Sequence, residues 1–285
     1  MPLPSVIKIT VVTVTFNAAK VLRKTVDSVE RQTYPAVEHI IVDGASSDGT
    51  PEIACDYMRR ACGSGGSHSV RVVSEPDRGL YDAMNKGLSL ATGQYVVYMN
   101  AGDCFHDACT LSGVAEKSGI NTLQAKGASL PAVIYGDTDI VDGEGNYIGR
   151  RRHSPPEKLS WHSFRGGMLV CHQAFYARTD IARDIHYDLR YRYSADVDWC
   201  IRVMKEAERR GLPLVNVHMT VADYMREGQS TVHHRDSLCE RFSVMRSHYG
   251  ILPTAAMHVW FVFRAVAQMV RGMTGKKAVR QRCET

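Results

Sequence analysis

Three aspartates, Asp43, Asp77 and Asp103, each follow a run rich in β-branched apolar residues: HIIVDG, VRVVSEPD and YVVYMNAGD. In a parallel sheet, strand ends of this kind open onto one crevice. Three carboxylates gathered there repel and raise one another's pKa unless a divalent cation or several hydrogen-bond donors hold them ionised. The simplest use of such a site is to hold a nucleotide diphosphate through a metal. A hard cation such as Mg²⁺ or Mn²⁺ prefers oxygen ligands, keeps waters and bridges one or two carboxylates to a diphosphate. In MNAGD, Gly102 is expected to let that diphosphate approach the main chain.

Each aspartate has neighbours suited to a ligand. Asp43, with Ser46 and Asp48 in VDGASSDGT, can accept hydrogen bonds from the imide edge of a base or from a ribose, but the same residues suit a turn that caps the helix opening at Pro51. Both readings stand. In EPDRGLYDAMNKG, Asp77 can accept from a base or sugar and Arg78 can bind a phosphate bidentately. Asp82 and Lys86, at i,i+4, read as a surface ion pair. His172, in CHQAF, reads by itself as a satisfied core histidine on a strand, and His233 and His234 as a solvated loop pair.

The elements that must position these groups are legible along the chain. IKITVVTVTF (7–16) reads as a buried strand, followed by a helix opening at Asn17 and Ala18 with Val21, Leu22, Val26 and Val29 on one side. A strand over 38–43, a helix from Pro51, the strand VRVVSEPD, the helix LYDAMNKGLSLATG ended by Gly93 and the strand QYVVYMN follow. Strands and helices alternating at this spacing imply an α/β fold with a mostly parallel sheet flanked by helices. Past Asp103 the rhythm changes. Two strands surround a DGEGN turn, HSPPEKLSWHSFRGG is loop-like, LVCHQAFYA is a short strand, DVDWCIRVMKEAERRG is a helix stopped by Gly211, and VNVHMTVADYMR is a further strand. From Asp236 the chain reads as helical, with Val259, Val262, Phe263, Val266 and Val270 on a face opposite Arg264, Gln268 and Arg271.

Bulk properties narrow the function class. The 285 residues, 44% of them hydrophobic, suffice for one large core or two fused ones, and a formal charge of +5 is modest. The basic residues gather late, at Arg264, Arg271, Lys276, Lys277, Arg280 and Arg282. No interleaved aromatic and basic motif appears, so nucleic acid is not an expected partner. The eight cysteines form no CxxC pair and are expected to be reduced thiols. No signal peptide and no apolar run of roughly 18 residues is present, so a cytoplasmic location is expected. TVTFNAAK lacks the Gly-rich phosphate loop that a nucleotidyltransferase would carry at its first strand.

The ordered set VTVTFN, VDGASSDGT, SEPDRGLYDAMNKG, YMNAGD, CHQ and ADVDW resembles the family 2 glycosyltransferases of GT-A fold, especially bacterial enzymes building colanic-acid-like exopolysaccharides and cell-surface glycolipids. The resemblance spans roughly residues 8 to 231. It implies a Rossmann-like domain with a C-terminal helical extension, in which residues 1–110 bind the nucleotide sugar and 111–235 carry the acceptor site and base; the amphipathic pattern within 236–285 suits either a membrane interface, cations toward anionic lipids, or packing on the catalytic domain. It further implies that Thr15, Asn17, Asp43, Ser46, Asp48, Asp77, Arg78 and Asn100 serve the donor, with Asp43 at the base. Asp103 ligates Mg²⁺ or Mn²⁺ at the DXD position, and Asp196, preferred over Asp198, is the catalytic base. His172, Gln173, Asp198 and Trp199 fall on the acceptor side. Two departures stand out: Asn100, Ala101 and Gly102 leave Asp103 as the motif's only carboxylate, and EGQS (227–230) replaces a Gly-Gly-Val/Ile-Ser segment, leaving the role of Ser230 open. The expected reaction is inverting transfer from a nucleotide-diphosphate sugar to a saccharide or lipid-linked saccharide, with peripheral contact at the cytoplasmic face of the membrane. The rival expectation is a donor-binding scaffold subunit without turnover.

Overall fold

The computed structural model describes residues 6–63, 68–226 and 234–261. Strand β1 (Ile9–Thr15) is buried along its whole length, as an unbroken β-branched run is when helices cover both faces of a sheet. It is followed by α1 (Ala19–Glu30), β2 (Val37–Asp43), α2 (Thr50–Gly63), β3 (Ser69–Ser74), α3 (Leu80–Leu90) and β4 (Tyr95–Tyr98). These strands are parallel in the order β3-β2-β1-β4. Successive side chains on a strand point to opposite faces. Ile41 therefore meets Leu22, Val26 and Tyr57 of α1 and α2, whereas Ile40 and Val42 share the other cluster with Met84 and Leu88 of α3. Strand order reverses between β1 and β4, which opens a crevice beyond their carboxyl ends.

The second half extends the same sheet with mixed pairing. It comprises β5 (Cys104–Phe105), α4 (Thr110–Ser118), α5 (Ile120–Ala125), β6 (Val133–Val141), β7 (Tyr147–Arg150), β8 (Phe175–Arg178), α6 (Thr179–Ala182), α7 (Ala195–Arg209), β9 (Leu214–Met225) and α8 (His234–Tyr249). Beyond β4 the order continues β8-β6-β9-β5, with β7 on β6. The DGEGN turn joins β6 and β7 as expected: Asp142 Oδ1 accepts from the backbone N–H of Glu144 and of Asn146. Gly211, at φ 64°, ends α7.

Three local expectations differ. Helix α3 stops at Leu90, with Ala91 already extended. Gly93 instead permits close approach to β1, where a Cβ would lie 2.7 Å from the Lys8 carbonyl oxygen. The CHQ segment is a 3₁₀ turn over His172–Ala174, and only Phe175–Arg178 is strand. The Asp82–Lys86 pair is not made: Asp82 pairs with Arg78 at 3.1 Å, and Lys86 with Glu75 at 2.8 Å.

A stack of rings underlies the junction of the two halves. Tyr187 lies face to face with Trp199 at 4.9 Å and with Tyr81 at 5.4 Å, while Tyr98 meets Tyr187 and Trp199 edge-on. Trp199 is fully buried and donates from Nε1 to the Ile185 carbonyl at 2.7 Å.

Helix α8 braces the start of α7 from behind. Glu240 accepts from three successive backbone N–H groups, those of Arg192, Tyr193 and Ser194, at 2.8, 2.6 and 3.1 Å. Asp198 faces the same helix and accepts from Arg202 Nε and His248 Nε2, both at 2.7 Å. The helical run 251–261 turns Thr254, Met257, His258 and Phe261 inward and leaves Leu252, Val259 and Trp260 exposed by 80%, 70% and 53%. Among the described residues, no helix is long and apolar enough to cross a membrane. Ser230, His233, the His234 side chain and the residues from Val262 onward, including the basic cluster, lie outside the described residues.

Candidate active site

The loops after β1 and β2 are stitched together by short polar side chains. Asn17, at φ 47°, accepts on Oδ1 from the Ser47 N–H at 2.9 Å and donates its own N–H to Ser46 Oγ at 2.8 Å. Asp48 accepts from the Ala19 N–H at 3.1 Å and the Thr50 N–H at 3.0 Å, so one carboxylate serves the first turns of both α1 and α2. Thr15 Oγ1 is buried and has no hydrogen-bond partner among the described residues.

Asp43 is fully enclosed. It accepts from the Ser46 N–H at 3.0 Å, Ser46 Oγ at 2.5 Å and Ser74 Oγ at 2.6 Å. Asp77 lies beside it across Gly44, where an added Cβ would stand 2.5 Å from Asp77 Oδ2, and its other oxygen accepts from the Gly79 N–H at 2.7 Å. The Arg78 side chain is 78% exposed and touches Asp82. Its guanidinium is the exposed end of that pair, whereas the Asp82 carboxylate is 13% exposed and also accepts from the Arg78 N–H at 3.0 Å.

Asp103 is buried at the far side of the crevice, where Oδ2 accepts from Gln173 Nε2 at 2.6 Å and Oδ1 from the Met225 N–H at 3.0 Å. Burial pushes its carboxyl up to about 6, against those two hydrogen bonds and the nearby His172. Asn100 Oδ1, three residues earlier, is buried with no hydrogen-bond partner among the described residues. A desolvated carboxylate and an orphaned amide oxygen on one short loop are the oxygen donors a hard cation takes, so these residues fit Mg²⁺ or Mn²⁺. Gly102 does not open the main chain to a ligand as expected. It is buried, its N–H is taken by Thr25 Oγ1 at 2.8 Å, and a Cβ would meet Met225 Cε at 2.6 Å.

The CHQ turn reaches two carboxylates at once. Cys171 Sγ donates to Gln173 Oε1 at 2.6 Å, which aims the Gln173 amide nitrogen at Asp103. His172 faces the other way, with Nδ1 at 3.3 Å from Asp196 Oδ2 and Nε2 at 3.2 Å from Asn100 Nδ2. Because Asn100 Nδ2 can only donate, Nε2 accepts and Nδ1 carries the proton toward Asp196. Both side chains, expected on the acceptor side, are therefore turned to the carboxylates and nearly buried.

Asp196 is 17% exposed in its side chain and accepts from the Tyr81 hydroxyl at 3.1 Å on Oδ1. Burial pushes its carboxyl up, but the hydrogen bond from His172 and the charge of Arg241 outweigh that and hold it below the usual carboxylate range. A partly accessible, ionised carboxylate at a helix start is a competent proton acceptor. Asp198 and Trp199 do not join it: Asp198 is committed to α8 and Trp199 to the ring stack. Tyr81, Arg241 and Glu240 were not among the expected residues, although Tyr81 lies inside the EPDRGLYDAMNKG segment. Apart from this site, His106, Asp139 and Asp223 place one ligand atom each within 4.8 Å of one another, and His106 and Asp223 already pair at 2.9 Å.

A sequence model described as "Glycosyl transferase family 2" matches residues 10–185. The "PGL/p-HBAD biosynthesis glycosyltransferase" of Mycobacterium bovis (strain BCG / Pasteur 1173P2) is 32% identical over 215 residues, covering 75% of this chain and 75% of the relative. The "Amylovoran biosynthesis glycosyltransferase AmsB" of Erwinia amylovora is 26% identical over 221 residues, covering 76% and 69%. Among solved structures, S. aureus TarS 1–349 in complex with UDP-GlcNAc superposes with TM-score 0.63 at 18% identity, covering 84% of this chain. The mannosyltransferase PcManGT from Pyrobaculum calidifontis, in complex with GDP-Man and Mn²⁺, gives TM-score 0.58 at 15% identity, covering 94% of this chain and 80% of that one. This chain spans 64% of that TarS fragment and 38% of the longer TarS structure. At these identities the structural likeness establishes the fold, a mixed, mostly parallel sheet flanked by helices as in GT-A proteins.

Proposed function

The chain belongs to glycosyltransferase family 2, as a glycosyltransferase of polysaccharide or glycolipid synthesis, and from that premise we propose that its reaction is inverting and metal-dependent. The donor is a nucleotide-diphosphate sugar held by the 1–110 half through Thr15, Asn17, Asp43, Ser46, Asp48, Asp77, Arg78 and Asn100. The acceptor, a saccharide or lipid-linked saccharide, enters beside Asp196 in the 111–235 half. Asp196 takes the proton of an acceptor hydroxyl as that oxygen bonds to the anomeric carbon and the bond to the diphosphate breaks on the opposite face. His172 donates to Asp196 and keeps it ionised. Asp103 and Asn100 would hold Mg²⁺ or Mn²⁺, which supplies charge neutralisation at the departing diphosphate. Gln173 fixes the Asp103 carboxylate for that task.

The observation that carries this reading is the CHQ turn, which gives one residue to Asp196 and the next to Asp103. The test is transfer by the purified protein from UDP-, GDP- and TDP-sugars with Mn²⁺ or Mg²⁺, read as nucleotide release and as the anomeric configuration of the product by NMR. Metal-dependent release from one donor with an inverted product is expected. A retained configuration, or full rate in chelator, counts against the mechanism, and nucleotide binding without turnover would favour the scaffold subunit, the reading suggested by a motif with a single carboxylate.

Membrane contact through the C-terminal segment belongs to the same proposal. Leu252, Val259 and Trp260 form an apolar outer face, and the sequence beyond it carries the six cations from Arg264 to Arg282, a composition suited to an anionic interface at the cytoplasmic face. The full chain is expected to sediment with vesicles containing phosphatidylserine, and a chain ending at Gly250 to stay in the supernatant. Equal sedimentation of the two would remove the idea.

A further inference from the structure

We propose that Tyr81 is a positioning residue for the base, tying the carboxylate of Asp196 to the donor loop. The inference rests on the assignment of Asp196 made above. An aspartate carboxylate turns easily about its last torsion, so a base with one hydrogen bond is poorly aimed. Here the two oxygens are held separately, Oδ2 by His172 and Oδ1 by the Tyr81 hydroxyl at 3.1 Å.

Tyr81 is itself built to stay in place. Its ring is 6% exposed and stacks on Tyr187 at 5.4 Å with 19° between the planes, and Tyr187 in turn stacks on the buried Trp199. Its backbone is the second residue of α3, directly after Asp77, Arg78 and Gly79, and Gly79 at φ 111° sets the entry into that helix. The residue that aims the base thus hangs from the loop assigned to the donor, 115 positions away in sequence. Burial, and then the charge of Asp196, push the phenol well above its ordinary value, so the hydroxyl remains a donor throughout the working pH range.

Tyr81→Phe keeps the ring stack and removes only the hydroxyl. Loss of one of the two bonds that aim the base is expected to lower kcat roughly 10- to 100-fold, the scale on which a misplaced catalytic group acts, with donor KM close to wild type. In an Asp196→Asn background the same substitution should have no further effect, because the hydroxyl acts through that carboxylate. A wild-type kcat for Tyr81→Phe overturns the inference. So does an equal fold-loss in the two backgrounds. Wild-type activity of Asp196→Asn itself would instead sink the assignment of the base.

Discussion

Asp196→Asn lowers kcat by roughly 10²- to 10⁴-fold, the range over which a positioned general base acts, and leaves donor affinity unchanged. The amide has the volume of the carboxylate, so the His172 turn and the ring stack have no reason to move. It cannot take a proton from the acceptor. Steady-state transfer and calorimetric binding of the donor nucleotide together check the outcome, because a loss of binding would point to a structural defect instead. The pH dependence has a definite sign. Burial raises the Asp196 carboxyl, but His172 and Arg241 overcome that and hold it below its ordinary value of 3.8. The base form therefore persists as pH falls through the usual carboxylate range, and an acid limb of kcat reporting this group lies below that value. Wild-type turnover by the variant would remove Asp196 from the mechanism.

Asp103→Asn is the second large effect, with an expected loss in kcat of about 10²- to 10³-fold, as for removal of one electrostatic stabiliser of a developing charge. A separate readout does not depend on turnover. Any cation bound to the folded state alone stabilises it by mass action, so Mn²⁺ should raise the thermal midpoint of the wild-type protein and leave that of Asp103→Asn unchanged. The metal-free protein supplies a further check through linkage. The folded carboxyl sits at about 6 against an ordinary 3.8, so this group favours the folded state fully below 3.8 and loses that contribution as pH rises through 6. Saturating Mn²⁺ at neutral pH opposes that loss. Equal midpoints with and without Mn²⁺ in both proteins would rule out Asp103 as a ligand.

Much of the architecture is legible from residue type alone. The β-branched runs ending at Thr15, Asp43, Ser74 and Tyr98 are strands because their side chains pack on both faces of a covered sheet, and the crevice follows from their order. The carboxylates at those ends were readable for the same reason. The division between the proposed base and the structural residues on α7 was not. Val197, Cys200, Ile201 and Met204 mark a core stripe at helical spacing, and Trp199 lies off it, yet the ring stack covers that second face and buries the indole. Asp196 and Asp198 differ by one step of about 100° per residue twice over, which sends one to the crevice and the other to α8. His172 and Gln173 were hidden differently. Read as strand residues they point to opposite faces, whereas the 3₁₀ turn aims each at its own carboxylate. Tyr81 was invisible because its partner is remote in sequence.

The three N–H groups that α8 caps through Glu240 bear on where this protein begins and ends as a working unit. The stretch matched by the family signature stops at residue 185, eleven positions short of Asp196 and far short of Glu240. A boundary drawn there would leave out the carboxylate to which we assign proton removal. One drawn just after Asp196 would leave the approach to α7 with backbone donors that nothing answers. The smallest unit that keeps these bonds therefore reaches into α8, and the carboxylate to which we assign proton removal is propped from beyond the stretch that the signature delimits.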